Sequence, residues 1–327
     1  MKALVFEAPD KPVIADLDMP QMSPNEVLVR TRAVGICHSD YELLAGRYII
    51  PISYPVTPGH EWSGEIVEVG RNVTGFKIGD RVVGECVVRT PERLHHFGFS
   101  MNGADREFFN VNPEWLHKLP DAVDDKKAAL IEPFTCGFYA VLRSGGTNAS
   151  ETVVVSGGGT IGLVSAAAAI GMGARVIVVD PLASRREVAL KLGADAALDP
   201  SDGGAADRIR EMTGGHGADL VVEASGHDAS LAAAFDYARE DGRMSMVGIN
   251  IGRSVPVVIG QIQMKNLTVR GCIGSPGVWP AAIRFLERTG IDLSPIQTHD
   301  YALTDAVQAF GFGKDATKSI KITLLNV

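Results

Sequence analysis

A glycine-rich turn between an apolar strand and an apolar helix constrains this chain most strongly. The segment TVVVSGGGTIGLVSAAAAIG, at positions 152–171, places Gly157, Gly159 and Gly162 in a G-x-G-x-x-G pattern. A β-branched run precedes the glycines and a helical run follows, which is the context that this pattern requires. The first glycine makes the tight turn, the second allows backbone to approach a pyrophosphate, and the third lets the helix pack on the strand. The predicted dinucleotide contacts are Gly157, Gly159, Thr160, Ile161 and Gly162.

An acidic residue ends the strand that follows this helix. The run RVIVVD ends at Asp180, eighteen positions after Gly162. A carboxylate at that point would bond both ribose hydroxyls of NAD and repel the 2′-phosphate of NADP. The strand, the helix and the acid together disfavour the alternative of a glycine-rich turn that binds no ligand. Because the acid at Asp180 would repel a 2′-phosphate, we predict NAD as the cofactor. Arg185 either lines the adenosine side or belongs to a solvated helix face, and Gly248 is a further predicted cofactor contact.

Two styles of sequence predict two domains. Residues 1–130 contain short β-branched runs ended by turn residues, which indicates a mainly β domain. Later segments alternate between strand-like and helix-like patterns, and this alternation predicts a parallel sheet with helices on both faces. The last residues read as a helix and a closing strand that return to the first domain. We therefore predict one domain of residues 1–130 with 275–327 and a second of 131–274.

Composition excludes several classes of function. The formal net charge is −8, and Lys and Arg form no stripe, so nucleic acid is not an expected partner. The sequence has no secretory-type N-terminus and no apolar run long enough for a transmembrane helix, so we expect no membrane partner. The four cysteines are far apart and form no C-x-x-C pair. We expect a cytoplasmic protein with reduced thiols.

The segment GICHSD contains Cys37, which could be a buried apolar residue, a nucleophile or a metal ligand. Its immediate neighbours do not distinguish these possibilities. Downstream, GHEWSGEIVEVG begins with Gly59, His60 and Glu61, GDRV follows at 79–82, and EPF begins at Glu132. Thiolate, imidazole and carboxylate are donors that zinc favours, and a catalytic site keeps one position open. The joint pattern favours a metal site at Cys37.

These motifs together resemble the zinc-containing medium-chain dehydrogenase/reductase family. The resemblance implies an α/β fold, with a Rossmann doubly wound parallel sheet and a mainly β GroES-like catalytic domain. It also implies one catalytic zinc and an NAD-dependent alcohol or polyol dehydrogenase. The implied metal ligands are Cys37, His60, Glu61 and Glu132, and the rank of the two acids stays open.

The resemblance also implies a path for the proton that leaves the substrate. Ser39 matches the hydroxyl at the first step of the family's relay, and Glu42 stands where the family often has a histidine. Either Glu42 takes that role or proton exit follows another route. His38 either contacts the pyrophosphate or is an exposed loop residue.

The segment after GDRV departs from the family pattern. Zinc dehydrogenases usually carry four closely spaced cysteines there, whereas this chain has only Cys86. One thiol cannot form a Cys₄ site, so we expect no structural zinc. His95 and His96 are adjacent and point different ways on a strand, which favours a loop role or a substrate contact over a weak metal site.

The substrate is the least constrained prediction. Glu132 in place of a cysteine resembles relatives that act on polyols and sugars, and MKALVFEAP with YPVTPGHEWSG is most similar to dehydrogenases of aminocyclitols such as 2-deoxy-scyllo-inosamine, in aminoglycoside biosynthesis. We expect a secondary alcohol on a small polar substrate to be oxidised reversibly to the ketone. A polar substrate needs several converging side chains. The polar candidates are Glu85, Arg89, His95, His96 and Arg106, and the candidate pocket walls are Tyr41, Tyr48, Trp62 and Trp279.

Two alternative functions and a predicted oligomer follow from the same sequence features. One alternative is a zinc-free NAD(P)H reductase of the same superfamily, which the set of Cys37, His60 and Glu132 disfavours. The other is a non-catalytic dinucleotide-binding protein, which the intact ligand residues disfavour.

The strand LTVRGCIG would form an exposed sheet edge, and such edges are usually covered or paired. The resemblance implies a homodimer or tetramer that pairs this edge near residues 270–274.

Overall fold

The computed structural model describes residues 1–47, 52–89, 94–121, 123–249 and 254–326. Its N-terminal elements are β1 (Lys2–Ala8), β2 (Lys11–Asp16), β3 (Val27–Ile36), α1 (His38–Leu44), β4 (Glu61–Val69), β5 (Arg81–Gly84), β6 (Val87–Arg89), β7 (Leu94–His96), β8 (Phe108–Val111), β9 (Leu116–Lys118) and α2 (Asp125–Ala128).

The central elements are α3 (Ile131–Arg143), β10 (Thr152–Ser156), α4 (Thr160–Gly171), β11 (Arg175–Val179), α5 (Ala183–Lys191), β12 (Ala196–Leu198), α6 (Ala205–Met212), β13 (Ala218–Glu223), α7 (Asp228–Tyr237), β14 (Ala238–Met246), α8 (Gly260–Met264), β15 (Thr268–Gly271) and α9 (Trp279–Thr289). The C-terminal elements are β16 (Gln297–Ala302), α10 (Ala306–Gly313) and β17 (Lys321–Leu325). Short 3₁₀ turns lie at Pro113–Trp115, Ser294–Ile296 and Leu303–Asp305.

The chain divides into two compact units. One contains Met1–Glu132 with Gln297–Val327, and the other contains Pro133–Ile296. The second division therefore lies after Ile296 and not after residue 274, where the sequence pattern placed it. Helix α9 explains the difference, because the ring of Phe285 lies 5.0 Å from that of Phe138, centroid to centroid, in the same unit. A Cβ at Gly171 would meet this ring at 2.5 Å, so α4 and α9 pack closely.

A parallel sheet organises the second unit. Among the described strands its order is β12–β11–β10–β13–β14–β15. Strand β10 reads TVVVS and is almost entirely buried, as expected for a central strand covered on both faces. The chain order reverses beside β10, and doubly wound sheets bind dinucleotides at the carboxyl ends of strands at such a point. The predicted Rossmann-type sheet is confirmed.

The first unit is built mainly from β-strands. Its larger described sheet has the order β16–β17–β3–β4–β5–β9, and β8 also pairs with β3. Trp62 on β4 lies inside this unit, 2% exposed, with its ring 4.7 Å from that of Phe109. Trp62 is therefore a core residue. In the described ranges no helix has the length and apolar character needed to cross a membrane.

Candidate metal and cofactor sites

Strand pairing brings Cys37, His60 and Glu61 together. Gly35 on β3 pairs with Glu61 on β4 in antiparallel register. Cys37 directly follows β3, and His60 directly precedes β4. One ligand atom from each of Cys37, His60 and Glu61 lies within 4.8 Å of the others. Two motifs that are distant in sequence therefore supply a thiol, an imidazole and a carboxyl group to one place in the first unit.

Asp40 supports this group from the first turn of α1. Its Oδ2 accepts a hydrogen bond of 2.8 Å from the backbone N–H of Cys37, and its Oδ1 lies 3.3 Å from Nδ1 of His60. A carboxylate behind a histidine is the usual partner that orients a metal-binding imidazole. The sequence reasoning missed Asp40. Its position three residues after Cys37 matches the spacing of a capping box, which was the available signal.

Glu61 is fixed by the C-terminal strand. Lys321 opens β17, and its Nζ donates to Oε2 of Glu61 at 2.5 Å and to the carbonyl oxygen of Ile36 at 2.9 Å. A Cβ at Gly35 would lie 2.4 Å from the same Glu61 oxygen, so a glycine is needed for the carboxylate to occupy this place. Sequence reasoning missed Lys321 as well, since only the pairing of β17 with β3 brings it here.

The electrostatics of the group suit a divalent cation. Burial alone would lower the pKa of His60, but the charge of Asp40 raises it well above the usual value. Asp40 and Glu61 are each 1% exposed, and Lys321 is the cation hydrogen-bonded to Glu61. Cysteine, histidine and glutamate are donors typical of zinc. The single ammonium of Lys321 does not neutralise both buried carboxylates, whereas a divalent cation beside them would. The residues therefore fit a zinc ion.

The two acids whose rank as ligands was open have different positions relative to this group. Glu61 lies within the described ligand group, whereas Glu132, in the first turn of α3 and 8% exposed, lies outside it. Burial raises the pKa of the Cys86 thiol, and the charge of Glu132 adds to that rise. Glu132 and Cys86 are therefore near neighbours of the group.

The glycine loop in the second unit has the geometry that dinucleotide binding requires. Gly157 has φ of +104°, which favours glycine, and a Cβ at Gly162 would lie 1.8 Å from the carbonyl oxygen of Gly157. Gly159 is the N-cap of α4, and Thr160 and Ile161 form its first turn. The N–H groups at a helix N-terminus are a common binding site for phosphate. The predicted loop residues therefore surround one helix N-terminus.

Asp180 faces this loop directly after β11. Its Oδ2 accepts a 2.7 Å hydrogen bond from the N–H of Gly158, and its Oδ1 accepts one of 2.8 Å from that of Leu182. The guanidinium of Arg185 lies 3.6 Å from Asp180, whereas that of Arg186 pairs with Asp199 at 3.0 Å. Asp180 and Arg185 therefore stand together beside the glycine turn.

The residues of the predicted proton path, Ser39 and Glu42, both lie on α1. Ser39 is half-buried on this helix, and the side chain of His38 is 86% exposed. Nε2 of His38 lies 3.9 Å from the carboxylate of Glu42, which also receives hydrogen bonds of 3.3 Å from Arg47. The helix therefore leads from Cys37 to a charged group at the surface.

Several candidate substrate contacts have partners of their own. The carboxylate of Glu85 lies 2.9 Å from Nε2 of His117. Burial lowers the pKa of Arg106 to about 10, and its Nε donates to the carbonyl oxygen of Gly103 at 3.0 Å. The ring of His95 lies 5.7 Å from that of Trp115. The side chain of Arg89 is not described, and Tyr48 lies outside the described residues. Trp279, which is 2% exposed, donates a hydrogen bond to Ser275 in the second unit.

The segment that departs from the family pattern contains a two-stranded sheet in its described part. Strands β6 and β7 pair in antiparallel register, with Val88 opposite His95 and Val87 opposite His96. Burial lowers the pKa of His96, and the neighbouring His95 lowers it further. The thiol of Cys86, just before β6, lies 3.8 Å from the carbonyl oxygen of Phe97.

Comparisons with known proteins agree with both units. Residues 23–121 match the "Alcohol dehydrogenase GroES-like domain" family, and residues 160–288 match the "Zinc-binding dehydrogenase" family. The chain is 32% identical to a sorbitol dehydrogenase of Halalkalibacterium halodurans, over 99% of both chains. It is 32% identical to D-arabitol-phosphate dehydrogenase of Enterococcus avium, over 95% of this chain and 93% of that one.

A solved structure is similar over the full length. The 2R,3R-butanediol dehydrogenase of Bacillus subtilis superposes with a TM-score of 0.91 at 29% identity, covering 100% of this chain and 99% of that one. The predicted GroES-like and Rossmann-type domains are confirmed, and so is an oxidoreductase enzyme. The chain belongs to the zinc-type medium-chain alcohol and polyol dehydrogenases.

Proposed function

We propose that this protein catalyses the zinc-dependent, NAD-linked oxidation of a secondary alcohol to a ketone, reversibly, on a polyol, a sugar or an aminocyclitol. The observation that carries the proposal is the group of Cys37, His60 and Glu61, whose ligand atoms lie within 4.8 Å of one another. The family supports zinc and NAD(H) as cofactors. The choice of a polyol, a sugar or an aminocyclitol as substrate is part of the proposal.

In the proposal, Cys37, His60 and Glu61 hold one zinc ion, Asp40 orients His60, and Lys321 orients Glu61. Bound zinc supplies Lewis-acid chemistry to an alcohol group. Glu132, which is 8% exposed, is the other acid proposed for this site, as a further zinc ligand or as a group that supports the ligands. The proposal includes one zinc ion per chain, bound at this site.

The glycine loop and Asp180 bind NAD in the proposal. NAD held there would supply the hydride acceptor. The N-terminus of α4 binds the pyrophosphate, Asp180 selects the adenosine ribose without a 2′-phosphate, and Arg185 lies at its edge. Ser39 passes the substrate proton toward the surface, where His38 and the Glu42 carboxylate lie 3.9 Å apart.

Polar substrates are favoured by the relatives that the chain resembles. Two of these are named for sorbitol and D-arabitol phosphate, and both substrates carry adjacent hydroxyl groups. An aminocyclitol is the narrower proposal, which would place the enzyme in antibiotic biosynthesis. It rests on the resemblance of the N-terminal segments alone.

A substrate panel tests the proposed function. The full chain, loaded with zinc, is assayed with NAD⁺ and NADP⁺ against sorbitol, D-arabitol, erythritol, a deoxy-inosamine and a linear alcohol, by NADH or NADPH absorbance. We expect turnover of at least one cyclic or linear polyol with NAD⁺, and its loss in His60→Ala. Turnover of no alcohol, or full turnover in His60→Ala, would reject the proposal.

We further propose a homo-oligomer that pairs the edge strand β15. Strand β15 ends the described parallel sheet, and the side chain of the nearby Ile273 is 64% exposed. Sedimentation of the full chain should give at least a dimer, and Ile273→Glu should weaken it. A monomer at all concentrations would reject this assembly.

A further inference from the structure

A buried carboxylate ends strand β13. Glu223 is 0% exposed, and it accepts hydrogen bonds from Ser225 Oγ at 2.6 Å and from Ser230 Oγ at 2.9 Å. It also accepts from the N–H of Ser225 at 3.1 Å and of Gly226 at 3.2 Å. Within the described ranges these partners are all neutral N–H and O–H groups. An ionised carboxylate only accepts hydrogen bonds, so this arrangement suits a buried negative charge.

Glu223 joins the carboxyl ends of three neighbouring strands. Its carbonyl oxygen accepts hydrogen bonds of 2.9 Å from the N–H groups of Val247 and Gly248, directly after β14. A Cβ at Gly248 would lie 2.5 Å from Oε2 of Glu223, so the backbone passes close to the carboxylate. A Cβ at Gly157, after β10, would lie 2.8 Å from Cβ of Ser225. Ser225–Gly226 and Gly248 thus form a platform beside the glycine loop.

The strand order assigns this platform to one half of the cofactor. Asp180 follows β11, on one side of β10, where the adenosine ribose is recognised. Strands β13 and β14 lie on the other side of β10. In a doubly wound sheet a dinucleotide extends across this point of reversal, so its nicotinamide half lies toward β13 and β14.

We propose that Glu223 is a positioning residue for this platform and that its buried negative charge favours oxidised over reduced nicotinamide cofactor. The oxidised nicotinamide ring carries a positive charge and the reduced ring is neutral. A fixed charge in a poorly solvated place acts over a longer range than one at the surface. The inference rests on the proposed NAD-linked function.

The test compares the binding of NAD⁺ and NADH by calorimetry, without turnover. Glu223→Gln removes the charge, whereas Ser230→Ala removes one donor and keeps the charge. We expect Glu223→Gln to raise the ratio of Kd for NAD⁺ to Kd for NADH about tenfold, which corresponds to about 1.4 kcal/mol. We expect Ser230→Ala to weaken both forms about fivefold and leave the ratio unchanged.

The outcomes separate this inference from the proposed function. Wild-type protein that binds neither form would reject the NAD-linked function and the inference with it. Wild-type binding with an unchanged ratio in Glu223→Gln would reject the inference alone. If Glu223→Gln does not fold, Ser225→Ala and Ser230→Ala still test the positioning role, and unchanged affinity for both forms in both variants would overturn it.

Discussion

Lys321 donates a 2.5 Å hydrogen bond to Glu61 across 260 positions of sequence. The two side chains are 2% and 1% exposed, so the ion pair is shielded from water. The pairing of β17 with β3 places Lys321 beside the end of β3, where Cys37 follows. The last described strand therefore contributes to the candidate metal site, and it also lies between β16 and β3 in the sheet of the first unit.

Breaking this pair should destabilise the protein. In the zinc-free protein, Lys321→Met leaves the Glu61 carboxylate buried without its ammonium partner, and the removal of one partner from a buried ion pair typically costs about 3–5 kcal/mol. We expect a loss of that size in the free energy of unfolding, measured with urea, and partial recovery in Lys321→Arg. Lys318→Met is the matched control, because the side chain of Lys318 is 58% exposed, and it should change stability by less than about 0.5 kcal/mol. Equal losses in the two methionine variants would contradict the account.

Asp40 should control metal affinity through His60. Asp40→Asn keeps an acceptor for the Cys37 N–H but removes the charge that faces Nδ1 of His60 at 3.3 Å. Loss of such a supporting group typically weakens metal binding by about 10–100-fold. Competition with a chromophoric chelator measures this change. Asp16→Asn, at an exposed ion pair with Lys2, is the control and should bind zinc as wild type does.

Asp180 should set the preference for NAD over NADP. Asp180→Asn keeps an oxygen for the N–H of Gly158 and removes the repulsion of a 2′-phosphate. We expect the ratio of NADP⁺ to NAD⁺ affinity to rise about tenfold, which corresponds to about 1.4 kcal/mol. Titration with both cofactors measures it. Asp199→Asn is the control, because it removes a nearby charge that pairs with Arg186. An equal rise of the NADP⁺ to NAD⁺ affinity ratio in Asp199→Asn would show that general charge, and not ribose recognition, sets the preference.

Asp105 should make stability depend on pH. It is 1% exposed, and a Cβ at Gly59 would lie 2.7 Å from its Oδ1. Burial and the charge of Asp40 raise the pKa of Asp105 well above its usual value. The folded protein therefore holds this proton more tightly than the unfolded chain does, so its contribution to stability is full below about pH 4 and is lost as pH rises toward the folded pKa.

Asp105→Asn removes this titration. Relative to wild type, the variant should become progressively more stable as pH rises above about 4, because it has no such contribution to lose. Urea unfolding across a series of pH values measures the difference, with the exposed Asp121→Asn as control. Parallel pH curves for wild type and Asp105→Asn would contradict the raised pKa.

Local patterns made much of this structure predictable. The turn at Gly157 and the acid at Asp180 each follow a β-branched run, so their places at strand ends could be read from sequence. Cys37 and His60 stand in short motifs whose residue types already suggest a metal. The structure adds the register of β3 and β4, which brings Glu61 beside Cys37 and His60.

Features that depend on distant contacts were not predictable. Lys321 stands in an ordinary strand pattern, and only the pairing of β17 with β3 shows its role. The end of the second unit was misplaced because α9 has the pattern of any amphipathic helix. Its membership is decided by the contact of Phe285 with Phe138, which sequence periodicity does not contain.

The central claim is that Cys37, His60 and Glu61 hold one zinc ion on which activity depends. Metal analysis of the purified full chain, before and after chelation and after zinc is restored, tests it most directly. We predict about one zinc per chain, loss of alcohol-dependent NADH formation on removal, and recovery on return. Undiminished alcohol oxidation by a chain that contains no metal would contradict it.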